Sequence, residues 1–210
     1  MVPPKVLGAG LALTLLGVAA CGEDPQLGLD DKEVCLTRRD GVRYCIELFE
    51  ASRADANSQS AGVDDTTAPR SLSGRMPWTG LTWAAARAAC ELKGKRLCDF
   101  DEWIDACDGE VGDGGLTYTY GDTRDESNAT CNTGSGAAEP TGSREACESP
   151  TTTMDQSGNV WEWSGNTMGA ASARGGGFRS TQTHQCASTL MDISPTTESP
   201  EVGFRCCRDT

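Results

Sequence analysis

The stretch Asp155–Trp163, DQSGNVWEW, constrains this chain more than any other. It sets four turn formers, Asp155, Ser157, Gly158 and Asn159, directly against Trp161 and Trp163. Indoles are costly to leave in water, so two within three residues mark a strand that enters a core. Alternation along a strand puts Trp161 and Trp163 on one face and Glu162 on the other. Two readings of the acidic residues follow. In one, the strand is entered through an Asx turn and Glu162 is solvated. In the other, a loop turning at Gly158 gathers the Asp155 and Glu162 carboxylates and freed carbonyls around a hard cation such as calcium. Short acidic turns are common, and the residues by themselves favour the plain turn.

The chain opens on a targeting segment. In Met1–Ala20, Lys5 supplies a charged start and Val6–Ala20 a continuous run of apolar and small residues. The run is short for a membrane span and ends in small residues. Val18-Ala19-Ala20-Cys21 resembles a bacterial lipoprotein signal, in which Cys21 is acylated after cleavage; an ordinary secretory signal cut near Ala20 is the alternative. Either way the chain is expected to be exported to the cell envelope, on the periplasmic or cell-surface side. Residues 21–32 are polar and acidic and read as a tether. Residues 33–210 then form one domain, long enough to bury a sizeable core.

Without Met1–Ala20 the chain carries 17 basic and 31 acidic side chains, a net charge of −14. That charge excludes nucleic acid and anionic lipid surfaces as expected partners. Beyond Cys21 ten cysteines remain, an even number that in an exported chain reads as a disulfide framework. Zinc is not expected, because there is no Cys-x-x-Cys pair and one histidine only.

Along the chain, Glu33–Glu50 predicts a hairpin turning at Asp40-Gly41. Cys35 and Cys45 flank that turn and are placed to staple it. Ala51–Gly74 has little to bury and reads as a long exposed loop. Thr82 caps a first helix with Trp83, Ala86 and Cys90 on one face and a stop at Gly94. Asp99 with Glu102 forms a capping-box pattern for a second helix. Its buried face is predicted as Phe100, Trp103, Ile104 and Cys107, with an end near Gly109. Glu110–Gly142 is loop-rich, and Cys131 and Cys147 form a plausible local pair across it. Arg174–Phe178 (RGGGF) and Val202–Cys206 (VGFRC) read as two short strands. His184, in a setting of Gln and Thr, is placed at the surface. Periodicity alone gives an α+β, disulfide-rich domain.

GNVWEW followed by RGGGF and a terminal GFRC resembles the formylglycine-generating enzyme (sulfatase-modifying factor) family. GKRLCDFDEW and Tyr118–Asp122 (YTYGD) resemble further motifs of that family, and the matching pieces run from about Tyr44 to Cys207. The resemblance implies a C-type-lectin-like α+β fold with two helices, short strands and many loops. It implies a structural calcium ion held by side-chain oxygens of Asp155 and Glu162 and by carbonyls of Gly158 and Val160. Asn132 matches a family position that helps to bind calcium together with a downstream Asp, which is missing here before Asp155. It also implies the bridges Cys90–Cys206 and Cys107–Cys186, which leave Cys98 for Cys207.

The family oxidises a substrate cysteine with oxygen, using copper held by two thiolates, which suit Cu(I). Against its pattern, Gly177 replaces a serine, Ser180 stands where the first copper cysteine is expected, and no second cysteine appears before Cys186. Copper is therefore not expected, and no catalytic residue is assigned. The expected function is a non-catalytic binding or scaffold module on an envelope lipoprotein, with a protein or glycan ligand. The alternatives are an enzyme of the same superfamily with altered chemistry, or an accessory protein to a sulfatase system.

Overall fold

Asp40 and Gly41 turn the chain between two antiparallel strands, β1 (Glu33–Thr37) and β2 (Arg43–Glu47). Gly41 takes a positive φ of 87°, and the Asp40 carboxylate accepts from Val42 N at 3.1 Å. The register sets Cys35 opposite Cys45, and the two are bonded. The computed structural model describes Met1, residues 31–109 and residues 115–210. The expected leader, Cys21 and most of the tether lie outside the described residues.

Two short helices follow. In α1 (Trp83–Glu91), Thr82 caps through Oγ1, which accepts from Ala85 N at 3.1 Å. Its buried face is Trp83, Ala86, Ala89 and Cys90, the helical spacing read from the sequence with one addition. A two-residue strand, β3 (Arg96–Leu97), leads to α2 (Phe100–Asp108). Asp99 and Glu102 form the reciprocal capping box, and Gly109 ends the helix in the left-handed region. Trp103 and Cys107 are buried as predicted, but Phe100 is 43% exposed. Glu102 takes the inward position, paired at both oxygens with Arg96.

The central stretch delivers β4 (Trp161–Ser164). A 3₁₀ turn (Met168–Ala170) leads to β5 (Ser172–Arg174), and the chain closes with β6 (Val202–Phe204) and β7 (Cys206–Asp209). One sheet has the order β1-β2-β7-β3; the other runs β5-β4-β6, with β4 and β6 parallel. Thus RGGGF is strand only as far as Arg174, because Gly175 and Gly176 turn at φ near 90°. VGFRC is two strands, broken at Arg205 as the chain passes from one sheet to the other.

Trp161 and Trp163 share a core with Trp78, Trp83, Leu97, Val202 and Phe204. Trp163 Nε1 donates to Leu81 O at 2.8 Å and Trp83 Nε1 to Gly165 O at 3.0 Å, whereas Trp78 Nε1 is buried without an acceptor. A second cluster packs Tyr44, Ile46, Trp103 and Ala106 against cysteines. The five bridges are Cys35–Cys45, Cys90–Cys206, Cys98–Cys207, Cys107–Cys186 and Cys131–Cys147. Such a set fits an oxidising, extracytoplasmic setting. The 51–74 segment is less exposed than its composition suggests. Ala51, Ser52, Ala56 and Ser71 are buried, and Ser52 and Arg70 exchange two backbone hydrogen bonds at 2.8 Å. Small polar side chains lie inside here because the backbone groups and hydroxyls find partners.

Candidate functional site

The site is built in two tiers around β4. The inner tier is a buried set of charges. Glu162 points away from the tryptophan face, as alternation requires, but not into water. It is fully buried and meets Arg205 at two points: Nε to Oε2 at 2.7 Å and Nη2 to Oε1 at 2.6 Å. Trp103 Nε1 adds a third donor at 2.7 Å. The Arg205 guanidinium also donates to the carbonyls of Glu47 and Leu48 at 3.1 Å and of Met154 at 2.7 Å. Burial opposes its charge, but Glu162 outweighs that and raises its pKa.

Two more buried carboxyls flank this pair. Asp155 accepts from Gly142 N at 2.6 Å and Thr141 Oγ1 at 3.1 Å. Glu50 accepts from Asn159 Nδ2 at 2.6 Å and Val160 N at 3.1 Å. Burial lifts the Asp155 carboxyl to about 6; burial, with the Asp155 and Glu162 charges, also raises Glu50 well above the ordinary carboxylate range. The turn into β4 is tight enough to demand glycine. Gly158 has φ of 140°, and a Cβ there would lie 2.8 Å from Asn132 O.

Of the positions named for calcium, Glu162 has no oxygen free for that ion. Both Glu162 oxygens are engaged by donors, and Arg205 already supplies the positive charge. Its guanidinium sits where carbonyls and a carboxylate converge, which is the oxygen environment a calcium ion needs. A second guanidinium does the same near Asn132. Arg144 binds Glu139 at both oxygens and donates to the carbonyls of Asn128, Ala129 and Cys131.

The outer tier is a loop pair, residues 117–125 and 178–186. Sequence reading places His184 at the surface; the structure buries it, 1% exposed. Tyr118 and Tyr120 stack at 5.4 Å, and Tyr118 lies 4.9 Å from the imidazole. His184 Nδ1 is 2.9 Å from Ser180 O, which only accepts, so Nδ1 carries the proton. Nε2 then accepts from the Tyr120 hydroxyl at 3.2 Å, and that oxygen accepts from Asp125 N at 3.2 Å. Burial lowers the His184 pKa and keeps the ring neutral. Both nitrogens are spent on structure, and neither is free to act as a base. The contact needs Gly176, since a Cβ there would come within 2.7 Å of the His184 Cβ.

Ser180, at the position of the expected first copper cysteine, accepts from Gly177 N at 2.9 Å. Cys186 is bonded to Cys107. Arg124 Nη1 ties the two loops together through Thr181 O at 2.7 Å. What these loops turn outward is polar: Asp122, Thr123, Arg179, Thr181, Gln182 and Gln185 are exposed, around a half-buried Tyr120. Such a surface can hydrogen-bond and stack on a ligand.

Two of these residues carry little signal in the sequence. Arg205 was visible only as part of GFRC, and Glu50 carried no local signal. Both acquire their roles across long separations in the chain, through β4.

No curated protein matches the chain. Among solved structures it is similar to Treponema denticola variable protein 1, at 15% identity and a TM-score of 0.62, over 80% of this chain and 85% of that one. It is similar to CarF at 17% identity and 0.61, over 86% and 99%. It is also similar to PvdO from Pseudomonas aeruginosa at 13% and 0.58, over 81% and 82%. At these identities the likeness is one of fold. The profile of the sulfatase-modifying factor enzyme 1-like domain matches residues 33–210, nearly all the described chain, and the protein belongs to that family.

Proposed function

We propose that this chain is a binding module of the cell envelope, lipid-anchored through Cys21, and not a formylglycine-generating oxidase. The observation that carries this is the state of Ser180 and Cys186. The first offers a hydroxyl, a hard and weak donor for Cu(I), already engaged with Gly177 N. The second is held in a bridge to Cys107. The thiolate pair that the family chemistry needs has no counterpart here. The polar rim at 117–125 and 178–186, fixed from behind by the Tyr118–His184–Tyr120 stack, suits a glycan or an extended peptide as ligand.

The test is direct. Purified protein incubated with copper, oxygen and a cysteine-containing sulfatase-type peptide should yield no aldehyde. Aldehyde formed over multiple turnovers, and abolished by Cys186→Ser, would restore an enzyme assignment.

A further inference from the structure

A hollow of about 460 Å³ is lined, among the described residues, by Lys32, Phe49, Leu72, Ser73 and Arg75. None of these is acidic, which sets the hollow apart on this protein. Acidic side chains outnumber basic ones by 31 to 18, and most of the described cations are held in ion pairs. Among the described residues only Lys32, Arg43, Arg75 and Arg174 are in none. Two of those four line this one hollow.

The walls come from three segments and are tied together from behind. The buried Ser71 hydroxyl accepts from Phe49 N at 3.2 Å and lies 3.2 Å from Phe49 O and 3.4 Å from Lys32 O. Gly74 N donates to Thr141 O and Thr141 N to Arg75 O, both at 2.8 Å. The next residue, Gly142, has φ of 68°, and a Cβ there would lie 2.6 Å from Phe49 Cε1, so the ring is seated on bare backbone. Arg75 Nη1 donates to Ala54 O at 2.9 Å, which fixes the guanidinium. Its other nitrogens have no acceptor in the protein and are not sealed from solvent. Lys32 is exposed, while Phe49, Leu72 and Arg75 are half-buried. Both cations therefore face open space, above an apolar floor.

We propose that this hollow is a receptor for an organic anion built on a ring, with its carboxylate met by Arg75 and Lys32 and its ring laid on Phe49 and Leu72. A concave site lined by one sign of charge concentrates the opposite sign, and a guanidinium with free N–H groups suits a carboxylate. A bare inorganic anion would leave the apolar floor unused, and a neutral ring would leave the two cations unused. Apolar walls with a few convergent polar groups are the usual make-up of a small-molecule site, and the volume is of the usual size. An acidic sugar, whose ring has an apolar C–H face, and an aromatic acid share this chemistry. The Ser73 hydroxyl adds a hydrogen-bonding group on the wall. The hollow has no residue in common with the tyrosine-lined surface, so it stands independently of the reading built there.

The experiment follows the backbone amide resonances of Phe49 and Ser73 in the labelled full chain. Methyl glucuronide, benzoate, acetate and methyl glucoside are titrated separately at matched ionic strength. Methyl glucuronide and benzoate carry both halves of the proposed ligand, acetate only the anion and methyl glucoside only the ring. A saturable shift is expected with at least one ring anion, about tenfold or more tighter than with acetate or methyl glucoside. The tighter of the two ring anions identifies the source as a sugar acid or an aromatic acid. Arg75→Gln should weaken that binding about tenfold and the more exposed Lys32→Gln about threefold. Lys32→Gln changes only an exposed side chain and keeps the test open if Arg75→Gln fails to fold. No saturable shift with either ring anion overturns the proposal. So does binding of acetate or methyl glucoside as tight as that of the ring anions, or a ring-anion affinity unchanged in Lys32→Gln and in Arg75→Gln.

Discussion

Glu162 and Arg205 lie 43 residues apart in sequence and form a two-point ion pair with neither side chain more than 1% exposed. Breaking such a pair from one side leaves a desolvated charge, which costs on the order of 3–5 kcal/mol. Glu162→Gln should lower unfolding stability by that order in urea titrations. The double variant Glu162→Met, Arg205→Met should lose less than the sum of the two single changes. Strict additivity would show that the two act separately.

Asp155 makes stability depend on pH in a defined sense. Its carboxyl sits near 6 in the fold against an ordinary 3.8, so the folded protein holds this proton more tightly than the unfolded chain. Its contribution is full below about pH 4 and is lost as pH rises through about 6. The size is on the order of 2–3 kcal/mol. Asp155→Asn should flatten the stability profile between pH 4 and 7, as read by denaturant midpoints. A profile as steep as the native one would assign the effect elsewhere.

Because Arg205 occupies the oxygens of Glu162, removing calcium should leave the fold indifferent. Chelator and added calcium should move the melting midpoint by less than about 2 °C, under about 1 kcal/mol for a chain of this size. A calcium-dependent rise above about 5 °C, lost in Asp155→Ala, would return the ion to this turn.

The proposed lipid anchor has a simple signature. Cys21→Ser should move the protein from the membrane to the soluble fraction of cells, without changing the melting midpoint of the domain. A variant that still partitions with membranes is not anchored at that residue.

Local signals were legible where the physics is local. The Thr82 cap, the Asp99–Glu102 box and the Asp40-Gly41 turn each act within a few residues, and each defines the element read from it. The alternation of Trp161, Glu162 and Trp163 correctly divided two faces. It gave no hint of what lay behind the second face, because Arg205 arrives from a distant strand. His184 fails for the same reason, since its burial depends on tyrosines more than 60 residues away. Phe100 fails differently. Helical spacing marked it as core, but the N-terminus of α2 faces outward, and its ring covers Arg174 instead. The GNVWEW, RGGGF and GFRC motifs made the fold readable; the geometry of the loop surface was not in them.

The cysteine pattern also bears on how the protein is made. Cys206 and Cys207 follow every other cysteine, and their partners, Cys90 and Cys98, precede them by 116 and 109 residues. A chain threaded across a membrane N-terminus first exposes Cys90, Cys98 and Cys107 to oxidants long before their partners emerge. Only Cys35–Cys45 and Cys131–Cys147 can close as soon as both thiols are out. Oxidation before those partners emerge favours links between neighbouring thiols, which thiol–disulfide exchange must undo before β7 is sewn to α1 and to the segment before α2. Yield of this domain in the cell should accordingly track the host's isomerase capacity rather than its oxidase capacity.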